Sequence, residues 1–91
     1  MMDIQFEEGI FYIGDKSHPD AELTYQKKDA QTIIADHTFV DEKLRGEGVA
    51  GKLFNELIAY ARENNLQIIP ECSYVKQKME RTSEYDDVLA Q

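Results

Sequence analysis

The sequence contains few of the residues on which disulfide-linked, zinc-dependent or membrane-spanning proteins depend. It has one cysteine, two prolines and no tryptophan among its 91 residues. A single cysteine, Cys72, cannot form an internal disulfide or by itself build a structural zinc site, so we expect no metal and treat Cys72 as a thiol. No stretch approaches the ~20 apolar residues of a membrane span, and residues 1–9 lack the basic start and apolar run of a signal peptide. A cytoplasmic protein is therefore expected.

Basic residues are also scarce. The chain has 10 lysines and arginines against 18 acidic residues, a formal net charge of −8. Nucleic acids and anionic membranes are both bound through clustered cations, so we expect neither as a partner. An acidic surface favours solubility and can attract a cationic amine. The hydrophobic fraction of 42% is sufficient for one globular domain over residues 1–91, and this size is compatible with a monomer.

The hydrophobic pattern predicts an antiparallel meander in the first 40 residues. Short strands are expected at 4–6, 11–13 and 21–26, and a long central strand rich in β-branched residues at 32–40. A loop at 16–20 and a polar turn at 27–31 separate them.

The second half predicts a helix, a parallel strand and a further short helix. Apolar residues recur at helical spacing from Val49 to Ala61, and the helix is expected to end at Asn64 and Asn65. A strand at 66–70 follows, and the strand–helix–strand order implies a right-handed crossover to a parallel neighbour of 32–40. A helix at 74–80 and a polar tail with a turn at Thr82 and Ser83 complete a small α+β fold.

The segment RGEGVAGKL, residues 45–53, satisfies three phosphate-binding patterns. Gly46, Gly51 and Lys52 match a P-loop, but Leu53 replaces the Ser or Thr that holds magnesium, and the preceding strands are antiparallel. Gly46, Gly48 and Gly51 also spell the G-x-G-x-x-G of a dinucleotide fold.

The dinucleotide interpretation has one feature in its favour. Glu71 lies about 20 residues after the last glycine, where the ribose-binding acid would stand. However, five residues separate the strand from Gly46, and 91 residues cannot hold the parallel strands of that fold. Both alternatives are therefore weaker than the third.

In the third interpretation the loop holds the pyrophosphate of an acyl-CoA. The backbone NH groups of residues 45–50 and the start of the helix would point at the phosphates. Gly46 and Gly48 would let phosphate approach the backbone, and Gly51 would allow close helix packing. The simplest alternative is a glycine-rich turn that only starts a helix.

Two segments, DHTFVDEKLRGEGVAGKL (36–53) and IIPECSYV (68–75), resemble the GCN5-related N-acetyltransferase (GNAT) superfamily and more narrowly its small single-domain branch of YidJ-like acetyltransferases. The resemblance covers nearly the whole chain. Lys43 stands where the superfamily motif has Gln or Arg. The resemblance implies a GNAT-like fold, with acetyl-CoA as co-substrate and an amine as acceptor. The implied CoA-binding residues are Phe39, Val40, Lys43, Arg45, Gly46, Glu47, Gly48, Val49, Ala50 and Lys52.

His37, Cys72 and Tyr74 are the candidate catalytic residues. If the strand at 32–40 is regular, His37 shares a face with Ile33 and Ala35, and it would lie with Cys72 near the gap between the parallel strands. There it could deprotonate an amine or activate the thiol. The resemblance implies roles for His37 and Cys72 and assigns Tyr74 to protonate the departing CoA thiolate. The structural alternatives are a partly buried histidine, a buried thiol and a packing tyrosine.

The function expected from the sequence is acetyl transfer from acetyl-CoA to an unidentified amine, either directly or through an acetylated Cys72. The alternative is a non-catalytic acyl-CoA-binding module of the same fold. That alternative arises because the chain lacks the additional amino-terminal helices that help to form the acceptor site in larger relatives.

Overall fold

In the computed structural model, which describes residues 3–90, a five-stranded sheet carries two helices on one face. The strands follow one another in chain order across the sheet: β1 (Gln5–Glu7), β2 (Ile10–Asp15), β3 (His18–Asp29), β4 (Thr32–Val40) and β5 (Gln67–Pro70). The first three pairings are antiparallel and β4 pairs with β5 in parallel. Both the predicted meander and the predicted parallel crossover are confirmed.

The crossover helix α1 (Val49–Glu63) begins and ends where the sequence predicts. Its start is Gly48 with φ of 72°, and beyond its end Asn65 adopts the left-handed conformation with φ of 55°. Its apolar residues recur every three or four positions and pack on the sheet: Val49, Leu53, Phe54, Leu57, Ile58 and Ala61. Each large apolar side chain buried in this way contributes about 1.5–3 kcal/mol to stability.

The short helix α2 (Ser73–Glu80) packs beside α1, with Val75 and Met79 in the same hydrophobic core. The opposite face of the sheet carries no helix among residues 3–90, and we call it the open face.

The loop predicted at 16–20 and the turn predicted at 27–31 are both too long. β3 already begins at His18 and continues to Asp29, so its turns shrink to residues 16–17 and 30–31. Pro19 pairs with Gly14 where the β2–β3 register shifts, and such an irregularity tolerates a residue without an NH donor. At the other end, the polar side chains of 27–29 are exposed, while Lys27 and Asp29 still pair with Ile33 and Thr32 of β4.

The central strand is not regular, which the alternation pattern could not reveal. Thr24 pairs with His37 and Tyr25 pairs with Ala35, so Asp36 is an extra residue, a β-bulge. Asp36 Oδ1 accepts a 2.6 Å hydrogen bond from Thr24, and Oδ2 accepts one of 2.7 Å from Gln26. Side chains after the bulge therefore change faces.

The tail after α2 contributes to the core, although the sequence predicts only a polar segment with a turn. A 3-10 turn at Ser83–Tyr85 leads to Val88, which is 3% exposed. Ile68 NH donates to the Val88 carbonyl at 2.7 Å, and Ala90 NH donates to the Ile68 carbonyl at 2.9 Å. The segment thus lies along the outer edge of β5. Gln91 of the predicted tail is outside the described residues.

Residues 3–90 contain no helix with the length and apolar character needed to span a membrane.

Candidate functional site

A cavity of about 250 Å³ lies at the amino-terminal end of α1. The glycine-rich loop and the first turn of α1 form most of its wall, and the remainder comes from the end of β4 and from α2. The lining residues are Val40, Leu44, Arg45, Gly46, Gly48, Val49, Ala50, Gly51 and Tyr74.

The loop conformation explains two of its three glycines. After β4 the chain makes a 3-10 turn at Glu42–Leu44, which Asp41 caps by accepting a 3.0 Å hydrogen bond from the Lys43 NH. Gly46 and Gly48 then adopt φ of 86° and 72°, a region that other residues rarely occupy. A Cβ built at either glycine would meet no atom within 4 Å, so the space beside both residues is open. Unpaired NH groups at the start of a helix favour an anion there.

The structure brings together six of the ten predicted CoA-binding residues: Val40, Arg45, Gly46, Gly48, Val49 and Ala50. Sequence reasoning missed Leu44 and Gly51 as lining residues. Leu44 could have been found from the sequence, because it is an apolar residue within a polar loop. Gly51 was expected only to allow close helix packing, so it was not predicted to line the cavity.

The other four predicted residues do not line the cavity. Glu47 and Lys52 are exposed beside it, and Phe39 lies on the open face of the sheet, paired with Glu22. Lys43 is turned towards β3, where its Nζ lies 3.1 Å from Asp20 Oδ1. The hydrogen bond to Asp20 raises the pKa of Lys43, so this lysine remains a cation near the loop.

Tyr74 on α2 forms the part of the cavity wall that faces Gly51. A Cβ built on Gly51 would lie 3.8 Å from the Tyr74 hydroxyl, which is ordinary contact. The close helix packing expected at Gly51 is therefore packing against this tyrosine. Burial raises the pKa of Tyr74, so its hydroxyl keeps its proton near neutral pH and can donate it.

A gap opens in the sheet next to this cavity. The β4–β5 pairing ends at Ala35 and Pro70, while β4 continues to Val40. The Ala35 carbonyl accepts two hydrogen bonds of 2.9 Å, from the NH groups of Glu71 and Cys72, as the chain turns into α2. Beyond this point β4 has no strand partner on the β5 side among the described residues, and such an edge can pair with an extended ligand.

His37 lies beside this gap on the open face, so the predicted apolar surroundings are wrong. The bulge at Asp36 moves His37 away from the face of Ile33 and Ala35 and leaves its side chain 55% exposed. His37 Nε2 lies 3.5 Å from Glu22 Oε2 on the neighbouring strand. Glu22 is thus placed to orient the imidazole ring, a contact that the sequence did not suggest.

Cys72 lies beside the same gap but on the helix-covered face. Its Sγ donates to Thr38 Oγ1 at 3.3 Å, and Thr38 pairs with the fully buried Leu23. The Cys72 side chain also packs on the hydrophobic core. His37 and Cys72 therefore approach the gap from opposite faces, and the expected activation of the thiol by the imidazole has no contact to support it.

Residues 3–90 hold no group of three or more His, Cys, Asp or Glu side chains that could bind a metal ion.

The sequence model of a GCN5-related N-acetyl-transferase family matches residues 10–88, which include every element from β2 to the tail. The chain belongs to this family. A GCN5-like protein from Staphylococcus aureus, solved in solution by NMR, is 43% identical, with a TM-score of 0.81 over 97% of this chain and 87% of that one. None of the curated proteins searched is significantly similar to the chain.

Two more distant solved structures share the fold. A GNAT family acetyltransferase from Elizabethkingia anophelis, crystallised with acetyl-CoA bound, is 15% identical with a TM-score of 0.59 over 81% of this chain and 52% of that one. Ard1 from Thermoplasma volcanium is 19% identical with a TM-score of 0.58, over 69% of this chain and 43% of that one. This GNAT chain thus spans about half of either larger relative.

Proposed function

We propose that this protein transfers an acetyl group from acetyl-CoA to an amine acceptor. The observation that carries the proposal is the continuity between two features: the cavity at the start of α1 and the gap between β4 and β5, which meet at Val40. Family membership and a family structure with bound acetyl-CoA support the choice of co-substrate.

The residues fit two parts of acetyl-CoA, the pyrophosphate and the pantetheine arm that ends in the thioester. The pyrophosphate would lie over Gly46 and Gly48, where the space is open and helix NH groups point outwards. Arg45, whose Nε donates to the Val40 carbonyl at 3.4 Å, is a cation within the wall. The extended pantetheine arm would follow the unpaired edge of β4 and bring the thioester to the gap.

The transfer step uses groups on both faces of the sheet. His37 takes a proton from the acceptor ammonium on the open face, and the free amine attacks the thioester carbonyl carbon. The C–N bond forms and the C–S bond breaks. CoA leaves as a thiolate on the helix-covered side, where the Tyr74 hydroxyl donates a proton to it. The second proton that the nitrogen loses on becoming an amide passes to solvent, from which the Tyr74 phenolate takes a proton back.

Direct transfer is the route that this geometry favours. The Cys72 thiol donates to Thr38 and has no histidine, lysine or arginine as a hydrogen-bond partner among residues 3–90. A thiol needs such a neighbour to become a ready nucleophile. The acetyl group is therefore expected to pass to the acceptor without forming a thioester with Cys72.

The test is turnover with a panel of cationic amines, followed as CoA release by chromatography. We expect His37→Gln and Tyr74→Phe each to lower kcat by about 100-fold while acetyl-CoA affinity stays within about twofold. Cys72→Ala should retain its rate within a few-fold. Mass spectrometry of the wild-type protein with acetyl-CoA alone should show no acetylated Cys72, and an acetylated species that forms and decays at the turnover rate would overturn direct transfer.

The same experiment distinguishes the alternative function. If acetyl-CoA binds but no amine in the panel releases CoA faster than the buffer does, the chain is a non-catalytic acyl-CoA-binding module.

A further inference from the structure

A second cavity, of about 360 Å³, lies near the other end of α1. Its lining residues come from the first two strands and from the last turns of the helix: Phe6, Phe11, Glu56, Ala59, Tyr60 and Glu63. Tyr60 lies three helical turns beyond Val49, or about 16 Å along the axis. The cavity therefore shares no residue with the proposed acetyl-CoA site, and we call it the aromatic cavity.

Aromatic rings form one side of the aromatic cavity. The Phe6 ring lies 5.0 Å from the Phe11 ring and 5.1 Å from the Tyr60 ring, and Phe11 meets Tyr60 edge-on at 5.9 Å. Tyr25, which is 5% exposed, packs behind them at 5.5 Å from Tyr60. The buried rings hold the cluster in place, while Phe6 remains 47% exposed to solvent.

Carboxylates form the other side. Glu56, Tyr60 and Glu63 are spaced four and three residues apart, so they lie on one face of α1, and Ala59 leaves room between them. Neither glutamate forms an ion pair or a hydrogen bond among residues 3–90, although Lys52 precedes Glu56 by one turn. Other carboxylates do find cations: Glu7 lies 2.7 Å from Lys16 and Asp87 lies 2.9 Å from Arg62.

We propose that the aromatic cavity binds a small organic cation carrying a methylated or quaternary ammonium group. Aromatic faces attract such cations and also accept their methyl groups, which a strongly hydrated inorganic ion cannot offer. The two unpaired carboxylates supply the opposite charge that the aromatic rings lack. This inference does not depend on acetyl-CoA binding or on acetyl transfer.

Choline and its uncharged isostere 3,3-dimethylbutan-1-ol form a matched pair of probes, because they differ mainly in the charge. Each is titrated into the ¹⁵N-labelled full chain while the amide signals of Ala59 and Tyr60 are followed by NMR. Choline should give saturable shifts at these amides with at least about fivefold higher affinity than the isostere. Added salt should weaken choline binding because the carboxylates become screened.

Two variants test the assigned residues. Phe6→Leu should weaken choline binding about two- to fivefold, the loss expected for one exposed cation–π contact. Phe39→Leu removes the other exposed large aromatic, on the open face, and should leave choline affinity unchanged. The double variant Glu56→Gln and Glu63→Gln keeps the side-chain shape and should remove the preference for choline over the isostere. This variant tests the proposal even if Phe6→Leu perturbs the fold.

Three results would overturn the proposal. Equal affinity for both probes would mean that the cavity is only an apolar cleft. Amide shifts at Ala59 and Tyr60 that grow with protein concentration in the absence of choline would identify a second copy of the chain as the occupant. Linear, non-saturating shifts with choline would show that no site exists.

Discussion

At the residue scale, the three glycines of the motif occupy their positions for different physical reasons. The backbone conformation requires Gly46 and Gly48, because both have positive φ. Packing does not require them, since a Cβ at either position would meet no other atom. Gly51 is an ordinary helical residue whose absent Cβ faces Tyr74. The sequence motif presents all three alike, so only the structure separates the two glycines that the backbone conformation requires from the one at which alanine also fits.

This difference predicts opposite stability effects for the same substitution. Gly48→Ala should lower the free energy of unfolding by about 1–2 kcal/mol, since alanine is strained in the left-handed region. Gly51→Ala should raise it by about 0.5–1 kcal/mol, since alanine favours the helix and the new methyl group has room. Urea unfolding followed by circular dichroism measures both, and equal destabilisation by the two variants would contradict the assignment.

At the element scale, the order and pairing of the strands and the limits of α1 could be predicted, because hydrophobic period and terminal asparagines encode them locally. The bulge at Asp36 could not, because one extra residue leaves the residue types of β4 unchanged while reversing the face of His37. The residues of the glycine loop were predicted from their motif. The partners of His37 and Cys72 were not, because Glu22 and Thr38 meet them only through strand pairing.

The carboxy-terminal segment packs on the core, which its polar sequence did not predict. Val88 is buried and lies within the segment that pairs with β5, and Tyr85 packs edge-on against Phe54 of α1 at 5.1 Å. Arg62 further binds the segment through both Asp87 carboxylate oxygens, at 2.9 and 3.1 Å, and through the Glu84 carbonyl at 3.0 Å.

We therefore predict that Val88→Ala lowers the free energy of unfolding by about 2 kcal/mol, from lost burial and the cavity left behind. The exposed neighbour Asp86→Ala is the control and should change it by less than about 0.5 kcal/mol. Similar values for the two variants in urea unfolding would mean that the segment contributes little to the core.

At the scale of the whole molecule, acid should destabilise the fold despite the excess of carboxylates. Hydrogen bonds or ion pairs lower the pKa of several of them below the usual 3.8 for Asp and 4.5 for Glu: Glu7, Asp15, Asp29, Asp36 and Asp87. For Asp36, burial acts in the opposite direction, and the bonds from Thr24 and Gln26 outweigh it.

The direction of the pH effect follows from these lowered values. As the pH falls below about 5, the unfolded chain takes up protons before the folded chain does, so the folded state loses stability. The urea midpoint should be highest near pH 7 and fall steadily towards pH 3. In Asp87→Asn, which cannot titrate, the fall should be smaller, and a midpoint that rises on acidification in both proteins would contradict the assigned ion pairs.

The central claim is that the cavity at the start of α1 binds acetyl-CoA, and calorimetric titration tests it most directly. Ala50→Trp fills the cavity from a helical position without backbone strain, whereas Asn55→Trp places the same side chain on an exposed part of α1. The account predicts saturable binding of acetyl-CoA, but not of NAD or Mg-ATP, to the wild-type protein and to Asn55→Trp, and none to Ala50→Trp. Absence of binding to the wild-type protein, or equal binding to both variants, would contradict it.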